Sequence, residues 1–150
     1  MSLTYPYGKD FIFTIFDDTD VSTLGNIQPI YDLLYSLGMR TTKSVWPLRC
    51  YAPESDFLGS ATLEDDEYSK YMRELADRGF EIAFHGASME SSFREKTIAS
   101  FEKFKEVVGC YPRAYACHGR NRENLYWGRK RFTSSALGSL YGIMDPRRNG

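Results

Sequence analysis

The stretch Phe11-Ile-Phe-Thr-Ile-Phe16, followed at once by Asp17 and Asp18, decides how the rest of the chain is read. An apolar run of β-branched and aromatic residues, bounded by the turn-rich Thr19-Asp-Val-Ser-Thr23, predicts a buried strand that delivers both carboxylates to its carboxyl edge. That edge is where α/β sheets carry their chemistry. Two adjacent anions repel unless a cation binds one of them or one takes up a proton. The simpler reading is an acidic cap for the next helix.

Three segments with helical periodicity follow. From about Asn26 to Leu37, Ile27, Ile30, Tyr31, Leu34 and Leu37 share a face, Pro29 sits in the first turn and Gly38 stops the helix. A second helix is expected from Thr62, with Glu64, Asp65 and Asp66 at its positive end and Tyr68, Tyr71, Met72 and Leu75 on one face before Gly79. The third opens at Ser92, with Glu95 completing a capping box, and presents Ile98, Phe101, Phe104, Val107 and Val108 before Gly109.

After each helix-ending glycine comes a β-type run: Met39 to Pro47, Phe80 to His85, and Tyr111 to His118, the last started by Pro112. The order strand, helix, strand, helix, strand, helix, strand predicts an α/β fold. Its parallel sheet is joined by crossover helices and is either open or curved toward a barrel. Residues 122–143 read as helical or irregular, and the long segment Arg49 to Ala61 as a loop able to shape a cleft.

The chain has 150 residues, the size of one domain, and a formal charge of -1. Its basic residues crowd the end, where residues 113–150 hold eight Lys and Arg against two Asp and Glu. Without a repeated basic and aromatic pattern this reads as a solvated face, so no nucleic-acid partner is expected. Cys50, Cys110 and Cys117 lack a C-x-x-C spacing and read as free thiols. With neither a span-length apolar segment nor a signal-peptide pattern, no membrane partner is expected and the cytoplasm is the default location.

Chemistry-bearing groups gather at the predicted strand ends: Asp17 and Asp18 after the first strand, His85 after the third, His118 after the fourth. The chain has only two histidines, and both fall there. One carboxylate with one or two imidazoles suits a divalent metal, zinc or a similar ion, with water in the open position.

These residues resemble the polysaccharide deacetylase superfamily, metal-dependent carbohydrate esterases with an irregular (β/α) barrel. Phe13-Thr-Ile-Phe-Asp17-Asp18 is similar to the family's Thr-Phe-Asp-Asp motif. Arg78-Gly-Phe-Glu-Ile-Ala-Phe-His85-Gly86 is similar to the segment leading to its metal-binding His, and Tyr111-Pro-Arg-Ala-Tyr-Ala-Cys-His118-Gly119 takes the place of its Arg-Pro-Pro-Tyr-Gly strand.

The resemblance covers roughly residues 10–120. It implies an incomplete barrel in a single domain whose C-terminal part is missing, a carbohydrate substrate, Asp17 as general base, and Asp18 and His85 as metal ligands. Met89 stands where the family has a second His, Tyr115 where it has an Arg, and no late His follows His118. His118 is our choice of third ligand, since such ions prefer imidazole to a thioether, and Asn121 is a supporting or substrate-binding amide. Tyr126 and Trp127 are candidate sugar-stacking residues.

The implied activity is metal-assisted removal of an acetyl group from an N-acetylated sugar. Two alternatives stay open. One is a non-catalytic carbohydrate- or partner-binding module on the same fold. The other is a haloacid dehalogenase-like phosphotransferase, in which Asp18-Thr19-Asp20 would supply nucleophile and acid/base with magnesium. A sheet that stops near Tyr115 would leave a free edge, from which a homo-oligomer is expected.

Overall fold

The computed structural model describes residues 5–51, 59–119, 121, 132 and 134–144. Among these, three parallel strands, β1 (Phe16–Asp17), β2 (Thr42–Val45) and β3 (Glu81–Phe84), form a sheet in the order β1-β2-β3. Helix α1 (Leu24–Ser36) joins β1 to β2, and α2 (Asp66–Asp77) joins β2 to β3. Helix α3 (Arg94–Val108) follows β3, and α4 (Ser135–Met144) lies near the end. The register pairs Asp17 with Lys43, Lys43 with Ile82, and Val45 with Phe84. Sequential strand order with parallel crossovers winds in one direction, as barrels do, whereas a doubly wound sheet reverses. Three strands do not close a barrel, and closure is not seen among the described residues.

Side chains alternate along a strand, so the register sets Lys43, Val45, Ile82 and Phe84 on one face. The three helices cover that face: Val45, Ile82 and Phe84 join one core with Ile27 and Tyr31 of α1, Met72 and Leu75 of α2, and Phe104 and Val107 of α3. The stripe read from the sequence of α2 is buried throughout, with Tyr68, Tyr71, Met72 and Leu75 all at or below 4 % exposure. Each such side chain contributes about 1.5–3 kcal/mol by leaving water. Phe101 of α3 stacks on Phe84, ring centroids 4.5 Å apart.

Several expected boundaries move. The first strand is confined to Phe16 and Asp17, and Phe11, Ile12 and Phe13 are exposed. β1 pairs only with β2 among the described residues, so an apolar run lying beyond that pairing has no surface to bury against. Helix α1 starts two residues earlier than expected because Thr23 and Asn26 exchange hydrogen bonds as a capping box. On its expected apolar face Ile30 and Leu37 are exposed.

Helix α2 starts at Asp66 rather than Thr62, because the Asp65 carboxylate accepts from the Thr62 backbone N–H at 2.8 Å and hydroxyl at 3.1 Å, holding that segment in a turn. The expected Ser92–Glu95 box is absent: Phe93 caps α3 without a side-chain bond, and the helix closes on Gly109 in a left-handed conformation.

The fourth strand reduces to one parallel bridge, Phe84 to Tyr115, in which the Phe84 N–H donates to the Ala114 carbonyl and the Ala116 N–H to the Phe84 carbonyl. Its place beside β3 still brings His118 to the same edge as His85. No helix among the described residues is long and apolar enough to cross a membrane.

Candidate metal centre

The site is built on the turn that leaves β1. Alternation sends Asp17 and Asp18 to opposite sides. Asp17 turns toward α1: its Oδ2 accepts from the Tyr31 hydroxyl at 2.9 Å and lies 3.1 Å from the Lys43 ammonium. Its carbonyl accepts from the Ser44 hydroxyl at 2.8 Å, which ties the turn to β2. Asp18 turns the other way, and its Oδ1 lies 3.1 Å from Nε2 of His85.

Two residues on, Asp20 faces the same imidazole at 3.7 Å, while its other oxygen lies 3.8 Å from Nε2 of His118. The chain reaches this geometry through Val21, whose φ of 54° is left-handed. Val21 is held there by hydrogen bonds from its N–H to the Ser60 hydroxyl and to its carbonyl from the Asn26 amide, both 2.9 Å.

His85 continues the ladder, its N–H donating to the Val45 carbonyl at 3.0 Å, and Gly86 then turns the chain at φ 101°. The rings of His85 and His118 are 5.6 Å apart, and the buried indole of Trp46 lies 5.7 Å from the first and 5.9 Å from the second. Trp46 also lines a cleft of about 260 Å³ with Arg49, Cys50, Ser60 and Thr62, beside the loop that the sequence offered as a cleft wall.

One ligand atom each from Asp18, Asp20 and His85 lie within 4.8 Å of one another. A tetrahedral ion with bonds of about 2.1 Å sets its donors roughly 3.4 Å apart, which the 3.1 and 3.7 Å separations of Asp18 and Asp20 from His85 approach, while His118 stands 3.8 Å from the second oxygen of Asp20, outside that set. The buried Nε2 of His85 makes no hydrogen bond of ordinary geometry among the described residues, although it faces two carboxylates. A cation between the carboxylates would give Nε2 a partner. Burial pushes the His85 pKa down against the pull of Asp18 and Asp20, with His118 adding to the downward push, and this favours the neutral, metal-binding imidazole.

Of the residues singled out in the sequence, Asp18, His85 and His118 therefore converge. Asp17 is engaged by Lys43 and Tyr31. Asn121 directs its amide into the protein, toward His118 and the carbonyls of Ser88 and Glu90. Tyr126 and Trp127 lie outside the described residues. Sequence reasoning about the metal missed Asp20, although its i+2 spacing from Asp18 was the available signal. It also missed Lys43, whose burial no local pattern announces. Comparison with protein-family profiles, with characterised proteins and with solved structures finds no match to this chain.

Proposed function

We propose that this protein is a divalent-metal-dependent hydrolase of the deacetylase type, acting on an N-acetylated sugar. The observation that carries the reading is the convergence of Asp18, Asp20, His85 and His118 at one edge of a parallel sheet. Asp18, Asp20 and His85 would hold the ion, with His118 joining through a side-chain shift from its place beside Asp20, and zinc is favoured by imidazole beside carboxylates. When bound, such an ion polarises a carbonyl and lowers the pKa of its water to about 7.

The chain's own groups supply the rest. Asp17 is turned to Tyr31 and Lys43 on the other side, so a carboxylate oxygen of Asp18 or Asp20 left unbound by the ion would accept the proton from water as it attacks the acetyl carbon. The C–N bond breaks, acetate leaves, and the amine nitrogen takes up the proton. The cleft beside Trp46, whose indole also lies near both imidazoles, is the candidate sugar site. Zinc-loaded protein is expected to release acetate from N-acetylated oligosaccharides, and His85→Ala to lose both zinc binding and acetate release. Sugar binding without acetate release would indicate a binding module instead.

The proximity of Asp18 and Asp20 also suits the phosphotransferase reading, in which magnesium lies between two such carboxylates. Two imidazoles facing Asp20 favour the first reading, because magnesium prefers oxygen donors. Phosphatase activity that needs magnesium and survives His85→Gln would reverse that preference.

A further inference from the structure

Asn121 is 3 % exposed, and the orientation of its amide is fixed by its neighbours. Its Nδ2 lies 3.2 Å from the Ser88 carbonyl oxygen and 3.2 Å from that of Glu90. Its Oδ1 lies 3.0 Å from Nδ1 of His118, itself 8 % exposed. Carbonyl oxygens only accept, so the nitrogen end of the amide must face them. Turning the amide over would set Oδ1 against two lone-pair-bearing oxygens and forfeit two hydrogen bonds, each worth about 1 kcal/mol net. The segment carrying those carbonyls wraps closely around Asn121, and a Cβ at Gly86 would stand 3.7 Å from Nδ2.

The oxygen end is thereby committed to His118. An amide oxygen has no proton to give, so the proton in that bond belongs to Nδ1 of the imidazole. Neutral imidazole carries one N–H, which leaves Nε2 with a lone pair. Nε2 is the atom 3.8 Å from Asp20 Oδ2, on the side of the metal-ligand cluster. Free histidine favours the opposite tautomer, with the proton on Nε2, so the protein must impose this one.

We propose that Asn121 is a positioning residue that locks His118 in the Nδ1–H tautomer, relaying the fixed direction of two backbone carbonyls into an unprotonated Nε2 aimed at the Asp18–Asp20–His85 cluster. The use of that nitrogen as a ligand rests on the metal reading above; the tautomer does not. Partners of this kind fix ring orientation and ligand basicity, and their loss costs roughly 10–100-fold in metal affinity.

The test is a two-bond proton–nitrogen correlation spectrum of metal-free, histidine-labelled protein at about pH 8.5, well above the ~6.5 of free imidazole. The chain has two histidines, so His85→Gln assigns the signals. Wild-type His118 is expected to show a protonated Nδ1 and a bare Nε2. Asn121→Ala is expected to move the ring toward the Nε2–H form and weaken zinc binding by roughly 10–100-fold. Asn121→Asp still accepts from Nδ1 and is expected to keep the Nδ1–H tautomer, although its second oxygen faces the Ser88 and Glu90 carbonyls and so lowers stability.

A proton on Nε2 in the wild type, which requires no variant to fold, overturns the proposal, as does an unchanged tautomer in Asn121→Ala. The expected tautomers with no zinc binding by the wild type would uphold the lock and sink the metal reading, so the two failures are told apart.

Discussion

The ammonium of Lys43, whose side chain has no exposed surface, lies 3.1 Å from Oδ2 of Asp17. The same nitrogen donates to the Asp18 carbonyl at 3.1 Å and the Ser22 hydroxyl at 2.9 Å, so one buried cation ties together the turn that carries Asp18 and Asp20. Burial pushes its pKa down, opposed by Asp17 first and then by Asp18 and Asp20. Removing one member of a buried pair leaves the other uncompensated. Lys43→Met is therefore expected to cost about 3 kcal/mol in urea unfolding, the lower end of the range because Asp17 is 36 % exposed. A loss below about 1 kcal/mol would show that the pair behaves as a surface ion pair.

Zinc affinity should depend on Asp18 and His85 more steeply than on any supporting residue. Asp18→Asn and His85→Ala are each expected to lose more than about 100-fold in a competition titration. A few-fold change in either would remove that residue from the ligand set.

Acid should destabilise the metal-free fold through His85. Its folded pKa is held below the unfolded value of about 6.5, burial being the main cause. Above that value neither state is protonated and stability is complete. As the pH falls from ~6.5 toward the folded pKa, the unfolded chain takes up its proton first and stability declines. Thermal unfolding of metal-free protein across this window should show the slope, and His85→Gln should flatten it.

Val21 holds a β-branched side chain at φ 54°, a conformation that costs about 1–3 kcal/mol for such a residue. Val21→Gly relieves that strain at an entropic cost of roughly 0.5–1 kcal/mol. A net gain of about 1 kcal/mol in chemical denaturation is expected. Since the side chain is 56 % exposed, little packing is lost, and a destabilised variant would mean that the left-handed turn is unstrained.

Asp65 provides a second acid-sensitive contact, at the start of α2. Burial pushes its pKa up, but the Thr62 backbone N–H, Arg49 and the Thr62 hydroxyl outweigh burial and hold it below the ordinary value. The resulting stability is present above the unfolded pKa of about 3.9 and is lost as the pH falls through the folded value. Asp65→Asn is expected to cost about 1 kcal/mol at neutral pH, and its difference from wild type should shrink in strong acid. An equal difference at both pH values would assign the effect to shape rather than charge.

Sequence periodicity determined the alternation of parallel strands and helices, the glycines that stop the helices, and the convergence of Asp18, His85 and His118 on one edge. These follow from repeats of two and 3.6 residues and from strand direction, which are local properties of a chain. Tertiary structure decided which carboxylate of the Asp17–Asp18 pair faces the histidines, because Tyr31 and Lys43 claim Asp17 from 14 and 26 positions away. It brought in Asp20 through a left-handed turn held by Ser60 and Asn26, and it aimed the Asn121 amide by two carbonyls some 30 residues earlier. It also left Phe11, Ile12 and Phe13 outside, since an apolar run becomes a buried strand only where a partner surface is present. Side-chain direction in a turn and the burial of a charge depend on what the rest of the fold places opposite them, and no local pattern carries that information.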